Sequence, residues 1–211
     1  MSDFPGSPRT ARGGLLIVDP TTLEIQRSIY LQYNPGELTR TLEVQSAGDG
    51  GDRMEALRLV GPPVETIQLE AEIDAADQLE YPDSNESVVT DGLHATIAAL
   101  ETTVYPQASQ LAEHRRLLNE GAIEIAPAEG PLTLFTWSAL RKLPVRITQF
   151  SLTEEFFDPK LNPIRAKVSL SMRVLRPDDL GLNHPAAGLF DAHHREKEIL
   201  ADASLNDGGG G

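Results

Sequence analysis

The clearest pattern along the chain lies in Val64–Asp74, where apolar and polar residues alternate from Ile67 onward. Successive side chains of a strand point to opposite faces, so this alternation predicts a β-strand with one buried and one solvated face. The buried face is predicted to hold Ile67, Leu69, Ala71 and Ile73, and the solvated face Gln68, Glu70, Glu72 and Asp74.

A second alternating stretch, over 143–175, predicts a long β-hairpin. The turn is expected at 158–163, DPKLNP, where two prolines bracket residues that favour chain reversal. In the first arm the apolar positions change phase between Ile147 and Phe150, which predicts a β-bulge or a change of buried face. In the second arm the apolar set is Ile164, Ala166, Val168, Leu170, Met172 and Val174, and the polar set is Arg165, Lys167, Ser169, Ser171 and Arg173.

Shorter apolar runs predict further strands at Gly14–Val18 and Leu132–Ser138. Residues that favour strands also fill 27–33 and 37–45, on either side of the turn formers Asn-Pro-Gly at 34–36. The simplest interpretation is an opening hairpin that reverses at 34–36. Trp137, at the end of one predicted strand, fits either the core or an interface, because aromatic side chains serve both roles.

Helical periodicity begins after the first alternating strand. Leu93, Ile97 and Leu100 recur at helical spacing and predict a helix that packs against the sheet. Thr90 or Asp91 is the predicted N-cap, because short polar side chains satisfy the free N–H groups there. Further helices are predicted at 109–119 and, near the C-terminus, from 186 or 187 to about 200.

These patterns divide the chain into three parts. Residues 1–13 are expected to be a flexible N-terminus, and 14–176 a β domain interrupted by a long glycine-rich loop at 46–63. Residues 177–211 are expected to form an acidic helical tail with a disordered glycine end. The predicted fold class is mainly β with one or two helices, arranged as an antiparallel barrel or sandwich with long hairpins and a flanking helix.

Composition and charge limit the classes of function. The chain has 211 residues, 40% of them hydrophobic, which is enough for one substantial core. Its formal net charge of −14 opposes binding to nucleic acid or to anionic membranes, since both partners would be negative. There is no cysteine, no signal-peptide pattern and no apolar run of the roughly 18 residues that a membrane span needs. A cytoplasmic protein without membrane insertion is therefore expected.

The polar residues do not form a catalytic pattern. His193 and His194 are adjacent, so on a helix they diverge by about 100° and do not share a metal as an i, i+4 pair does. Glu154, Glu155 and Asp158 lie beside the predicted turn, where carboxylates are usually solvated. The glycine-rich stretches lack the lysine and the strand–helix context of a phosphate loop. No catalytic, metal or cofactor site and no cofactor are predicted, and the chain is not expected to be an enzyme.

The order of the predicted elements nevertheless resembles a known family. An early YNP turn, a long loop, an alternating strand and a helix are followed by PLTLFTWSALRKLPVRITQFSLTEEFFDPKLNPIRAKVSLSMRVL. Over 14–175 this order is similar to the tube-type domain of contractile injection systems, which are related to phage tail tubes. Ser138 stands where that family more often has glycine. The residues that fit the family pattern are Trp137, Val145, Ile147, Phe150, Pro163, Arg165, Ala166 and Val168.

The resemblance implies a structural subunit, six copies of which form a ring of the inner tube or of its junction with the baseplate. Other tube, baseplate and sheath-associated proteins would be its partners, and no LysM module is expected after the domain. The residues implicated in the subunit interface or the lumen are Tyr33, Pro35, Met54, Leu57, Leu59, Arg165, Lys167, Ser169, Ser171 and Arg173.

Two alternatives belong to other classes of function. A monomeric ligand-binding β-barrel would close its strands within one chain around an apolar interior. An enzyme would need a cluster of titratable side chains, which the sequence does not indicate. The oligomeric state separates the ring from both.

Overall fold

The computed structural model describes residues 11–46, 58–121, 130–138, 140–181 and 183–207. This part of the chain is mainly antiparallel β-sheet, as predicted, with six α-helices where one or two were expected. The strands are β1 Gly14–Val18, β2 Ile25–Tyr30, β3 Leu38–Glu43, β4 Val64–Asp74, β5 Leu132–Ser138, β6 Arg141–Phe157 and β7 Pro163–Val174. The helices are α1 Ala76–Leu79, α2 Glu86–Asp91, α3 His94–Glu101, α4 Ala108–Asn119, α5 Pro177–Leu180 and α6 Ala187–Asp207.

All seven strands form one antiparallel sheet in the order β2-β1-β5-β6-β7-β4-β3. The predicted opening hairpin is wrong, because β2 and β3 lie at opposite edges of this sheet. β2 pairs with β1, and the chain reverses between them at 19–24, where the Asp19 carboxylate accepts hydrogen bonds from the backbone N–H groups of Thr21 and Thr22. The Asn-Pro-Gly segment at 34–36 instead carries the chain from one edge to the other. Turn chemistry marks where a chain bends, but it does not choose the strand that pairs afterwards.

The sheet curls, so that strands distant in its order approach each other. In a flat sheet β2 and β4 would lie about 24 Å apart, five strand spacings of about 4.8 Å. Yet Gln32, just after β2, bonds through its side chain to the backbone of Asp74 at the end of β4. Leu31 also donates its N–H to the carbonyl of Gly13, which extends the β1–β2 pairing toward this seam. The result is an open barrel whose seam runs between the ends of β2 and β4.

The long β6–β7 hairpin is as predicted. Its register shifts between Ile147 and Gln149, which confirms the bulge indicated by the change of apolar phase. The extra residue is Thr148, whose hydroxyl donates to the carbonyl of Ser171 on β7 at 3.1 Å. Because a bulge adds one residue to one strand only, the buried set of β6 changes from odd to even positions there.

Helix α3 packs on the apolar face of the sheet through Leu93, Ile97 and Leu100, which are all buried in the main core. The predicted N-cap is wrong, since Thr90 lies within α2 and bonds back to the carbonyl of Glu86. Gly92, with φ of +58°, separates α2 from α3, and a Cβ there would lie 2.5 Å from the carbonyl oxygen of Pro163. A glycine is therefore required where α3 meets the hairpin.

The C-terminal helix α6 begins close to its prediction and is longer, reaching Asp207. Its first half packs on its own sheet. Ala186 and Ala187 are buried, and Phe190 packs against the main core. Ile199 and Leu205, in the second half, are 62% and 76% exposed. Sequence periodicity did not distinguish the two halves, because the contact surface belongs to β6.

Candidate functional site

The polar face of the sheet holds the five β7 residues that the resemblance implicates. Arg165, Lys167, Ser169, Ser171 and Arg173 alternate with buried side chains, so all five lie on the face opposite the main core. Neighbouring strands extend this face through β4 and β6, because their polar residues pair with those of β7. The flanking pairs are Glu72 with Lys167, Glu70 with Ser169, Gln149 with Ser171 and Glu155 with Arg165.

The arginine nearest the hairpin turn is neutralised within the chain. Arg165 on β7 lies directly opposite Asp74 on β4, and its Nε is 3.5 Å from an Asp74 carboxylate oxygen. Its guanidinium also pairs with Glu72, which like Asp74 is on β4. The charge of Arg165 is therefore neutralised by two carboxylates of β4.

The other two cations that β7 contributes to this face are paired as well. Lys167 Nζ lies 3.1 Å from Glu155 on β6, and Arg173 donates to Asp179 of α5 at 2.7 Å. All four side chains are partly exposed, so each pair adds about 0–1 kcal/mol to stability. Their main effect is electrostatic, because the face presents paired charges rather than a row of cations.

Between these ion pairs β7 itself is uncharged, and the carboxylate of Glu70 on β4 lies beside it. Ser169 donates to Glu70 at 3.4 Å, and Ser171 lies beside the bulged Thr148. A depression of about 580 Å³ lies over this centre, with Pro35 and Gly36 of the edge-to-edge segment on its rim. Pro35, a predicted interface residue, therefore borders the same polar surface as β7.

Tyr33, another predicted interface residue, lies on the same segment and is 44% exposed. Its hydroxyl donates to Asp77 of α1 at 3.2 Å. Partial desolvation and the Asp77 carboxylate raise the pKa of Tyr33, since both disfavour the phenolate. Asn34 beside it accepts from the N–H of Gly13 and donates to the carbonyl of Ala11, which anchors the segment to β1.

Of the three loop residues predicted to meet a neighbouring subunit, only Leu59 lies within the described residues. It is 64% exposed and forms an isolated bridge with Ser46. Met54 and Leu57 lie outside the described residues, so their burial on assembly stays a prediction.

Both edges of the sheet carry exposed apolar side chains. On β2 these are Ile25 and Tyr30, each 59% exposed. On β3 and just after it they are Leu42 at 47% and Val44 at 67%. Neither edge has a further strand paired to it in the described part of the chain. An unpaired edge with apolar side chains favours pairing with another chain.

The tip of the β6–β7 hairpin is a surface that sequence reasoning missed. Phe156, Phe157 and Leu161 are exposed there, and Phe156 and Leu161 have positive φ angles of 51° and 69°. The Asp158 carboxylate accepts from the backbone N–H groups of Asn162 and Lys160, and these bonds lower the pKa of Asp158. The adjacent phenylalanines beside the predicted turn were the available signal.

A buried carboxylate also went unpredicted. Glu65 on β4 is 4% exposed, contacts Arg40 on β3 at 2.6 Å and accepts from Lys197 of α6 at 3.2 Å. Burial raises the pKa of Glu65, but the Arg40 hydrogen bond and the Lys197 charge outweigh it, and the net shift is downward. Alternation had placed Glu65 on the apolar face, and only the fold supplies its two cations.

A metal site and a membrane-spanning helix have no support within the described ranges. No group of three or more histidine, aspartate and glutamate side chains is arranged there to hold a metal ion. No helix in that same part is long and apolar enough to cross a membrane.

Comparisons with known proteins find matches among solved structures but not among family models or curated proteins. Two of the solved structures that resemble it come from gene transfer agent particles. A chain from the tail of an empty particle, refined helically with C6 symmetry, has a TM-score of 0.30 and 12% identity. A chain from a native virion has a TM-score of 0.29 and 12% identity. Each match covers 77% of this chain and 90% of the other, and at these TM-scores neither carries an argument about function.

Proposed function

We propose that this protein is a structural subunit of a phage-tail-like contractile injection particle, in which six copies form a ring of the inner tube or of its junction with the baseplate. The observation that carries the proposal is the asymmetry of the sheet. Helix α3 packs on its apolar side, whereas the β7 part of the opposite face carries paired charges around Ser169 and Ser171. A face of this kind suits the wall of a water-filled conduit.

The edges supply the means of closing a ring. Because β2 and β3 are the two ends of one sheet, β2 of one copy and β3 of the next form a head-to-tail contact. Such a heterologous contact closes into a ring when the rotation per subunit divides a full turn. Pairing would cover Ile25 and Tyr30 on one copy and Leu42 and Val44 on the other.

The charge on the lumen follows from the ion pairs. With Arg165, Lys167 and Arg173 each held by a carboxylate, the proposed lumen wall lacks strong net charge at its centre. A wall of serine hydroxyls and paired β7 cations, with Glu70 beside them, limits tight binding of charged cargo. The overall −14 charge lies mostly elsewhere on the subunit, where tube, baseplate and sheath-associated partners would contact it.

Negative-stain imaging and native mass spectrometry of the purified chain test the ring directly. Rings with six subunits, or co-purification with injection particles, are the expected result. The double variant Leu42→Lys and Val44→Lys should stay folded, because both side chains are exposed, but lose the ring through charge at the β3 edge. Leu118→Lys is the matched control, since Leu118 is 61% exposed on α4, away from both edges.

A folded protein that stays monomeric at high concentration and is absent from purified injection particles would contradict this proposal. The monomeric ligand-binding barrel would then be favoured, because the curled sheet does enclose an apolar space. If the Leu42→Lys and Val44→Lys double variant still forms rings, the proposed edge contact is wrong, but the proposed ring is not contradicted.

A further inference from the structure

A cavity of about 310 Å³ lies inside the curled sheet, between its apolar face and α3. It lies at the seam, where β2 and β4 approach each other without pairing strand to strand. Its inner wall is aliphatic and consists of Leu31, Ala71, Leu93, Leu100, Val168 and Leu170. All six belong to the main core, and none is more than 7% exposed.

The polar and charged residues of the lining are all exposed or partly exposed and so lie toward its mouth, namely Arg12, Gln32, Tyr33, Glu72, Asp77, Gln78 and Thr96. Tyr33 and Asp77 bond to each other there, and Gln32 is engaged with the backbone of Asp74. Thr96 of α3 completes the mouth and is exposed. The buried aliphatic wall therefore offers van der Waals contact only, and the mouth offers a phenol, two carboxylates, two amides and the Arg12 guanidinium for one polar end of a ligand.

We propose that this cavity binds a small, uncharged, mainly apolar molecule of one or two rings, with at most one hydrogen-bonding group, which lies at the mouth near Tyr33 and Asp77. Size supports this class, because an apolar cavity of about 150 Å³ already accepts benzene. Charge supports it too. An ionised group among the aliphatic side chains would lose its hydration without gaining a partner, and at the mouth the Glu72 and Asp77 carboxylates outnumber the Arg12 guanidinium, which disfavours an anion.

The fold explains why the space exists. Gln32 holds the end of β2 against β4 through a side chain rather than through a strand ladder, so the sheet does not close tightly at this point. Ala71, the smallest residue of the inner wall, leaves room where a larger side chain on β4 would fill it. A vacant space of this size costs stability, and an apolar ligand that fills it raises stability by mass action.

The test measures the thermal unfolding midpoint and the dissociation constant with toluene, 4-methylphenol and 4-methylbenzoate. Both neutral probes should raise the midpoint of the wild-type chain, and 4-methylbenzoate should bind at least tenfold more weakly. Ala71→Leu should unfold at the same or a higher temperature without ligand, and lose the response to toluene. Thr96→Trp covers the mouth from an exposed helix position and should weaken binding without disturbing the core.

Ser169→Ala, on the opposite face of the strand that contributes Val168 and Leu170, is the control and should bind as wild type does. The inference is overturned if neither neutral probe shifts the midpoint, if the charged probe binds equally well, or if both blocking variants bind like wild type. If Ala71→Leu does not fold, Thr96→Trp decides. The result is independent of the proposed ring, because rings are counted by imaging and the cavity is tested by ligand response.

Discussion

Gln32 and Asp74 join the ends of strands β2 and β4 of the curled sheet through a single side-chain amide. The Gln32 Nε2 donates to the Asp74 carbonyl at 2.8 Å, and the Asp74 backbone N–H donates to the Gln32 Oε1 at 2.9 Å. This reciprocal pair imitates one step of a β-ladder. It connects strands that stand five places apart in the sheet order.

Replacing Gln32 by alanine should therefore destabilise the chain. The substitution removes both bonds and leaves partly buried backbone groups of Asp74 without their partner, which costs about 1–3 kcal/mol. Urea unfolding measures the change. Gln26→Ala on the exposed part of β2 is the matched control, and an equal loss of stability in the two variants would show that the seam bond is unimportant.

The two faces of β7 should respond differently to the same new charge. Val168 is 1% exposed, so Val168→Asp buries a carboxylate without a partner and should cost at least about 4 kcal/mol. Ser169→Asp lies on the exposed polar face and should fold, with a small cost because it adds a negative charge opposite Glu70. Circular dichroism and denaturant unfolding distinguish the outcomes, and a stably folded Val168→Asp would contradict the assignment of faces.

Acidification should weaken the docking of α6 through His193. Burial lowers the pKa of His193 and the nearby Lys197 lowers it further, while its Nδ1 bonds to the carbonyl of Leu140. The folded-state pKa of His193 lies below the ordinary histidine value of about 6.5. Neutral His193 therefore contributes its full stabilisation at pH values above about 6.5. It is lost as the pH falls through the folded-state pKa.

Urea unfolding at several pH values between about 7.5 and 5 measures this loss. His193→Gln should flatten the pH dependence in that range. His194→Gln is the adjacent control and should have the smaller effect, since the His194 side chain is 57% exposed and lies 3.6 Å from Glu198 of its own helix. If His193→Gln keeps the wild-type pH dependence of the free energy of unfolding, another titratable group causes the effect.

Shortening the tail at two positions should separate folding from docking. A chain ending at Arg176 lacks Ala186, Ala187 and Phe190, so it exposes core surface and should be unstable or aggregate. A chain ending at Glu198 keeps these contacts and Lys197, and should unfold close to wild type. If this longer chain still enters particles at the normal level, the exposed second half of α6 is not a docking element.

Much of the sheet was predictable because alternation is a local property. The polar and apolar sets of β4 and β7 follow directly from residue order, and the shift at Thr148 follows from a change in that order. The helix through Leu93, Ile97 and Leu100 was equally visible. The assembly residues were predicted from resemblance rather than physics, and their roles stay predictions.

The sequence alone determined which residues form strands, which face of each strand is apolar and where the chain turns, because these depend on neighbours within a few positions. The tertiary structure decided which strands pair, and it separated β2 from β3 even though a good turn lies between them. It also supplied the acids beside Arg165 and Lys167, the two cations around Glu65 and the cavity at the seam. Each of these joins residues far apart in the chain, and the free energy that selects them comes from the whole packed core rather than from any local pattern.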